Sequence, residues 1–298
     1  MEYKIYTDVD SIPWDGYGRI GKDLDAAGER KRRVRKSGKR GRKSRRKQAI
    51  RRRKICLGIT LFLVFGTLFY TRGAANVLFE MGQGRVWQFL NSIHEEEYPQ
   101  ELLEMVENNP ETYDFVTGYP QRELYQEKEI DISGICQKGE APLLLQWDLR
   151  WGYDSYGDSM IGVAGCGPTC MTMAYLCLTG DASMDPRKMA SYASEKGYHT
   201  EAGTSWNFFT EGAAALGLAG SEAPLSETAM KQVLDQGGVL ISSMRPGDFT
   251  TTGHFILIRG YDQNGFFVND PNSRKNSEKQ WDYETLSGQI KGLWEITI

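Results

Sequence analysis

GCGPTCMTMAYLCLTG, Gly165 to Gly180, carries the clearest local instructions in the chain. Pro168 suits the first turn of a helix, where a missing N–H costs nothing. Gly180 suits the C-terminal cap, and the residues between them are apolar enough for a buried helix. Cys166 therefore stands at the mouth of a helix, where the macrodipole favours negative charge and hence a reactive thiolate. Its flanking glycines leave the sulfur and the nearby amides open to a substrate, as a nucleophilic cysteine requires. The same residues equally fit a structural cysteine ahead of a core helix, so the rest of the chain must decide.

Working outward, Leu143-Leu144-Leu145-Gln146-Trp147 reads as a short extended segment, and Asp148 to Gly165 as loop. Helices follow from Asp185-Pro186 to Ala193, from Ser205 to Leu216 and from Ser226 to Asp235. The apolar pattern then changes to strand period: Val239 to Met244, Thr252 to Tyr261, Phe266 to Asp270 and Leu293 to Ile298. Helices first and antiparallel strands second predict an α+β domain over 141–298, long enough for one real core.

The chain has three histidines. His94 lies in a helical region far from the cysteine, and His199 in a loop. His254 opens a strand, and the next strand ends in Asn269-Asp270-Pro271. That carboxylate is placed to fix the tautomer and orientation of an imidazole. Register decides whether it can. A two-residue turn at Gln263-Asn264 would set Asp270 opposite Leu257, on the wrong face. A three-residue loop or a bulge sets it opposite Ile256, on the face of His254 and diagonal to it. A zinc site built from Cys166, Cys170 and His254 is the rival reading. It lacks a fourth ligand and puts Cys170 inside an apolar helix, so neither metal nor cofactor is expected.

The order Gln146-Trp147-Asp148, Gly165-Cys166-Gly167-Pro168-Thr169, Gly253-His254 and Asn269-Asp270-Pro271 resembles the C39-like peptidases, a papain-like cysteine peptidase group common in bacteria. The resemblance covers about residues 98–298. It implies a papain-like α+β fold with Cys166 as nucleophile, His254 as base, Asp270 as its orienter and Gln146 as oxyanion-hole donor. Trp147, Trp206, Gly165 and Gly253 are the expected substrate-binding residues, and Trp151 is a further aromatic candidate. Cys170 departs from the usual serine and puts a second thiol one turn from the first. No ATP-binding cassette follows, which separates the chain from leader-cleaving exporter domains and leaves the substrate open.

The N-terminal part carries a different message. Between Arg30 and Lys54 there are 17 Lys/Arg and no acid; from Gly73 onward there are 15 Lys/Arg against 32 Asp/Glu. Ile55 to Tyr70 is free of charge for 16 residues, short for a spanning helix, which needs about 20, but extended by a snorkelling Lys54 and Arg72. The expected organisation is a disordered basic cytoplasmic tail over 1–54, a single transmembrane helix over 55–72, an extracellular helical stalk over 73–140 packed on the next domain, and a peptidase domain over 141–298. The basic block sets the N-terminus inside and rests on anionic lipid; nucleic acid is not the expected partner. A cleaved signal peptide would have a far shorter basic region. Four cysteines lie beyond the span, three of them if Cys166 stays free, so a dense disulfide framework is not expected and the partner of Cys136 is open. The function these residues imply is a membrane-anchored extracellular cysteine hydrolase acting on peptide or protein amides. The competing classes are a non-catalytic peptide-binding surface module on the same fold and a cell-wall peptide amidase. The acidic ectodomain argues against anionic polymers as substrates.

Overall fold

The order of elements follows the change of period read from the sequence. In the computed structural model, which describes residues 82–298 except 94–96, 127 and 202, helices dominate up to Asp235 and strands afterwards. The basic tail, the 55–72 segment, the start of the stalk up to 81 and His94 lie outside the described residues. Among the described residues no helix is long and apolar enough to cross a membrane.

Several short helices, among them α1 (Gln100–Asn108) and α2 (Tyr113–Thr117), precede the central helix α3 (Cys166–Thr179). Helix α4 (Pro186–Glu195) starts at Asp185, whose carboxylate accepts the Lys188 N–H. Helix α5 (Glu227–Asp235) is capped the same way by Ser226. The sheet has six antiparallel strands: β1 (Ala219–Glu222), β2 (Val239–Met244), β3 (His254–Asp262), β4 (Gly265–Asn269), β5 (Gln280–Trp281) and β6 (Ile290–Thr297). Their order is β1-β6-β2-β3-β4-β5. The four central strands are the four apolar runs of the sequence, with ends shifted by up to three residues. The edge strands β1 and β5 were not expected: they have four and two residues and little apolar alternation to mark them.

Both faces of the sheet are covered, so all six residues of β2 are buried. Ile241, Phe255, Leu257, Trp294 and Ile296 pack with α3 on one face. Leu240, Ile256, Ile258, Phe266 and Val268 pack with Met230 and Val233 of α5 on the other. The period of two along each strand thus sorts residues between two cores rather than between core and water.

The expected helix over Ser205 to Leu216 is broken. Trp206–Phe209 is a 3-10 turn and Glu211–Ala215 a separate helix, with Thr210 between them. Phe208 and Phe209 are adjacent and both buried, and neighbouring positions cannot share one helical face. The described helices before residue 118 are not a free-standing element. They belong to the compact unit Val77–Ile298, in which Leu102, Val106, Phe115 and Val116 share a core with Leu145, Trp147 and Tyr153.

Candidate active site

Helix α3 ends as its sequence prescribes: Gly180 is left-handed, with φ 72°, and its N–H returns to the Leu176 carbonyl. Cys166 is its first residue and is half-buried. The glycines beside it serve packing rather than clearance. A Cβ on Gly165 would strike Ile161, and one on Gly167 would strike Thr204. Gly165 is buried and lines no part of the cleft that Cys166 faces.

That cleft has a volume of about 940 Å³ and is lined on the sheet side by Ser243, Met244, Gly253, His254 and Phe255. His254 opens β3 opposite Met244 and is 7% exposed. Asp270 is fully buried one strand further on. The turn between their strands has two residues, since Asp262 faces Gly265, a register that alone would turn Asp270 to the wrong face. A bulge at Arg259, between Ile258 and Gly260, moves the ladder by one residue and sets Leu257 opposite Asn269. Asp270 then follows on the face of His254, and His254 Nε2 lies 2.7 Å from Asp270 Oδ1.

With Nε2–H donated to the carboxylate, Nδ1 is left for the cysteine. Burial works against charging the ring, but the Asp270 carboxylate and then the Cys166 side chain beside it outweigh burial, and the His254 pKa is pushed up to about 10. An imidazolium at neutral pH is the partner a thiolate needs.

Asp270 is held on every side. Its Oδ1 also accepts the Asn272 N–H at 2.8 Å, its Oδ2 accepts Asn276 Nδ2 at 2.8 Å, and its own N–H donates to Ser277 Oγ at 2.8 Å. The loop that follows is tied to the N-terminal region. Asn109 Nδ2 donates to the Asn272 carbonyl at 2.6 Å. Glu111 accepts Ser273 Oγ at 2.8 Å and the amides of Arg274 and Lys275 at 2.9 and 3.3 Å, capping helix α6 (Arg274–Glu278).

Gln146 is 3% exposed, does not line the cleft, and ties the short helix Ile161–Ala164 to the segment after β4. Its N–H donates to the Pro271 carbonyl at 2.8 Å, and its Nε2 donates to the carbonyls of Gly162 and Val163 at 2.9 and 3.1 Å. Its Oε1 is buried without a partner. Trp206 lines the cleft, 40% exposed, with its ring edge-on to Trp294. Trp147 does not line it: the indole is buried, donates to the Asn272 carbonyl at 3.1 Å and lies under the Arg274 guanidinium. Trp151 is a core residue bonded to the Leu145 carbonyl. His199 packs edge-on against Tyr156 and takes no part in the cleft.

Cys170 is wholly buried, and burial first, then Cys166 and Asp270, push its thiol well above the ordinary cysteine range. Among the described residues no group of three or more His, Cys, Asp or Glu is arranged to hold a metal ion. Sequence reasoning missed Asn276, Asn272, Glu111 and Asn109. Their contacts join loops far apart in the chain, and nothing local marks them. It also passed over Arg245 and Lys291, which line the cleft, although each is the only Lys or Arg in its stretch, 232–258 and 280–298 respectively.

Residues 139–297 match the model of the Peptidase_C39 like family, over half of the chain. No curated protein matches the sequence. A crystal structure from Bacillus anthracis, assigned in its description to the C39-like peptidases, superposes with a TM-score of 0.36 at 13% identity, covering 54% of this chain and 96% of that one.

Proposed function

The chain belongs to the Peptidase_C39 like family, and on that premise we propose that it is a membrane-anchored cysteine peptidase that cleaves peptide amides outside the cell with Cys166, His254, Asp270 and Gln146. The observation that carries the chemistry is the 2.7 Å bridge from buried His254 to buried Asp270, on the wall of the cleft that Cys166 faces. The Cys166 thiolate adds to the carbonyl carbon of the scissile amide, and the carbonyl oxygen takes the negative charge. The backbone N–H of Cys166 is one proposed donor to that oxyanion, and the side-chain amide of Gln146, once one of its N–H groups leaves the Gly162 or Val163 carbonyl, is the other. Nδ1–H of His254 passes its proton to the departing amine, the C–N bond breaks, and a thioester on Cys166 remains. Water then adds to the thioester while His254 takes its proton, releasing the acid and restoring the thiolate–imidazolium pair. Asp270 keeps the ring oriented throughout and favours its charged form before acylation and after the thioester is hydrolysed. A binding module has no use for a charged histidine buried against a carboxylate beside a thiol.

The topology rests on sequence. The 17 cations of residues 30–54 and the uncharged 55–70 run support an inside N-terminus on anionic lipid and an outside C-terminal domain. One experiment tests location and chemistry together. In a Cys136→Ser background, which removes the other half-buried free thiol, a membrane-impermeant maleimide applied to intact cells should label the full chain at Cys166, and adding Cys166→Ala should lose that label. Hydrolysis of a peptide pool by the purified chain should fall at least about 10⁴-fold in the same variant. Labelling only after lysis overturns the topology, and hydrolysis that survives Cys166→Ala overturns the mechanism.

A further inference from the structure

The charges that line the cleft run against the charge of the chain around it. From Gly73 onward, 15 Lys/Arg face 32 Asp/Glu, a net of −17. Yet the ionisable residues of the cleft, besides Cys166 and His254, are Arg245 and Lys291, and among the described residues no Asp or Glu lines it. Neither cation pairs with a carboxylate among the described residues.

Backbone structure places both. Arg245 follows Met244, which stands opposite His254, and its N–H donates to the Gln289 carbonyl at 2.9 Å. Lys291 occupies the register break of β6 between Ile290 and Gly292. That bulge turns it outward beside the buried Ile290, and its Nζ lies 5.6 Å from the ring centre of Trp206. His254, Met244 and Ile290 sit side by side on three neighbouring strands. At a strand spacing of about 4.8 Å, Lys291 lies about 10 Å from His254. An extended peptide covers that span in two or three residues at about 3.3 Å each. The Debye length in physiological salt is about 8 Å, so the acidic surface elsewhere is screened from a bound peptide while these two cations are not. Net charge alone therefore predicts the wrong sign for the substrate.

We propose that the cleft selects peptides carrying an Asp or Glu side chain two or three residues from the scissile bond, held by Arg245 and Lys291 against the exposed face of Trp206. The proposal rests on the peptidase reading, and two measurements separate their failures. In the first, the purified full chain cuts a mixed pool of synthetic peptides blocked at both ends, and the products are sequenced. Asp and Glu should be enriched about tenfold over Lys and Arg at that position, as two partly exposed ion contacts allow. The enrichment should invert in Arg245→Glu/Lys291→Glu. In the second, Cys166→Ala, which cannot cut, is titrated with a Glu-bearing peptide and its Gln counterpart by fluorescence anisotropy. The Glu peptide should bind about tenfold tighter in low salt and lose that advantage in high salt. Cys166-dependent cutting without acid enrichment, enrichment that survives the double reversal, or equal or absent binding of the two peptides overturns the selectivity. A pool left uncut while the Glu peptide is still preferred overturns the peptidase reading alone.

Discussion

Cys166 and Asp270 face each other across one site but are held by opposite means. The cysteine heads a helix whose residues from Gly167 to Ala174 are all buried, so packing fixes it and almost no polar partner is involved. Asp270, also buried, is held by hydrogen bonds to His254, Asn272, Asn276 and Ser277. Packing fixes a residue by shape and tolerates small shifts of polarity, whereas a buried polar net fails when one member is missing, because the others are left unsatisfied. The nucleophile side should therefore be robust to point changes and the acid side brittle.

Gln146 offers the sharpest break in that comparison, because its polar side chain holds Gly162 and Val163 just ahead of Cys166 while its backbone N–H bonds Pro271 beside Asp270. As the oxyanion donor, its change to Ala should cost on the order of 100- to 1000-fold in hydrolysis, with alkylation of Cys166 by iodoacetamide unchanged. As a pin holding the 161–164 turn through Gly162 and Val163, its loss should slow alkylation and hydrolysis together. A fall in hydrolysis below about threefold removes it from the mechanism.

The next test is on the acid side. Asp270→Asn should lower turnover by about 100-fold and shift its pH dependence. The raised His254 pKa means the ring stays charged up to about pH 10 in the intact site. The stability that comes from charging it is complete below the free histidine value near 6.5 and is lost as pH rises from there through about 10. Without the carboxylate, the alkaline limb of the rate profile should move down toward 6.5. A limb that stays in place would show that Cys166 alone keeps the ring charged.

These contrasts also explain what could be read from the chain. The helix side was legible because its signals are local: proline at one end, glycine at the other, apolar residues between. The pairing of His254 with Asp270 was legible only as a condition on register, and the condition was met by the bulge at Arg259 rather than by a longer turn. The net around Asp270 was not legible. Asn109 and Glu111 meet Asn272 and Ser273 across 163 and 162 residues of chain, and no spacing rule links such positions. Trp147 misled for a related reason: a tryptophan next to a candidate donor looks like a cleft wall until its indole is seen bonded to Asn272.

The smallest effect separates direct from transmitted support. Glu111 touches no reacting group, only the start of the helix that carries Asn276. Glu111→Gln should cost about 1 kcal/mol of stability, as a lost charged cap does, and lower turnover only a few-fold. Its alkaline limb should shift slightly in the direction of Asp270→Asn while KM holds. An unchanged profile with the same stability loss would make Glu111 a cap and nothing more.

The bulge at Arg259 has a consequence for how such a sequence can vary. The 16 positions from His254 to Asp270 bring the two onto one face through a two-residue turn plus one extra residue, and strand geometry counts residues without reading their names. Exchange of one side chain for another along this hairpin leaves the count intact. Loss or gain of a single codon changes its parity and turns the carboxylate to the opposite face, even far from either functional residue. What inheritance must preserve between histidine and aspartate is chiefly a length, and alanine scanning, which keeps length constant, is blind to it.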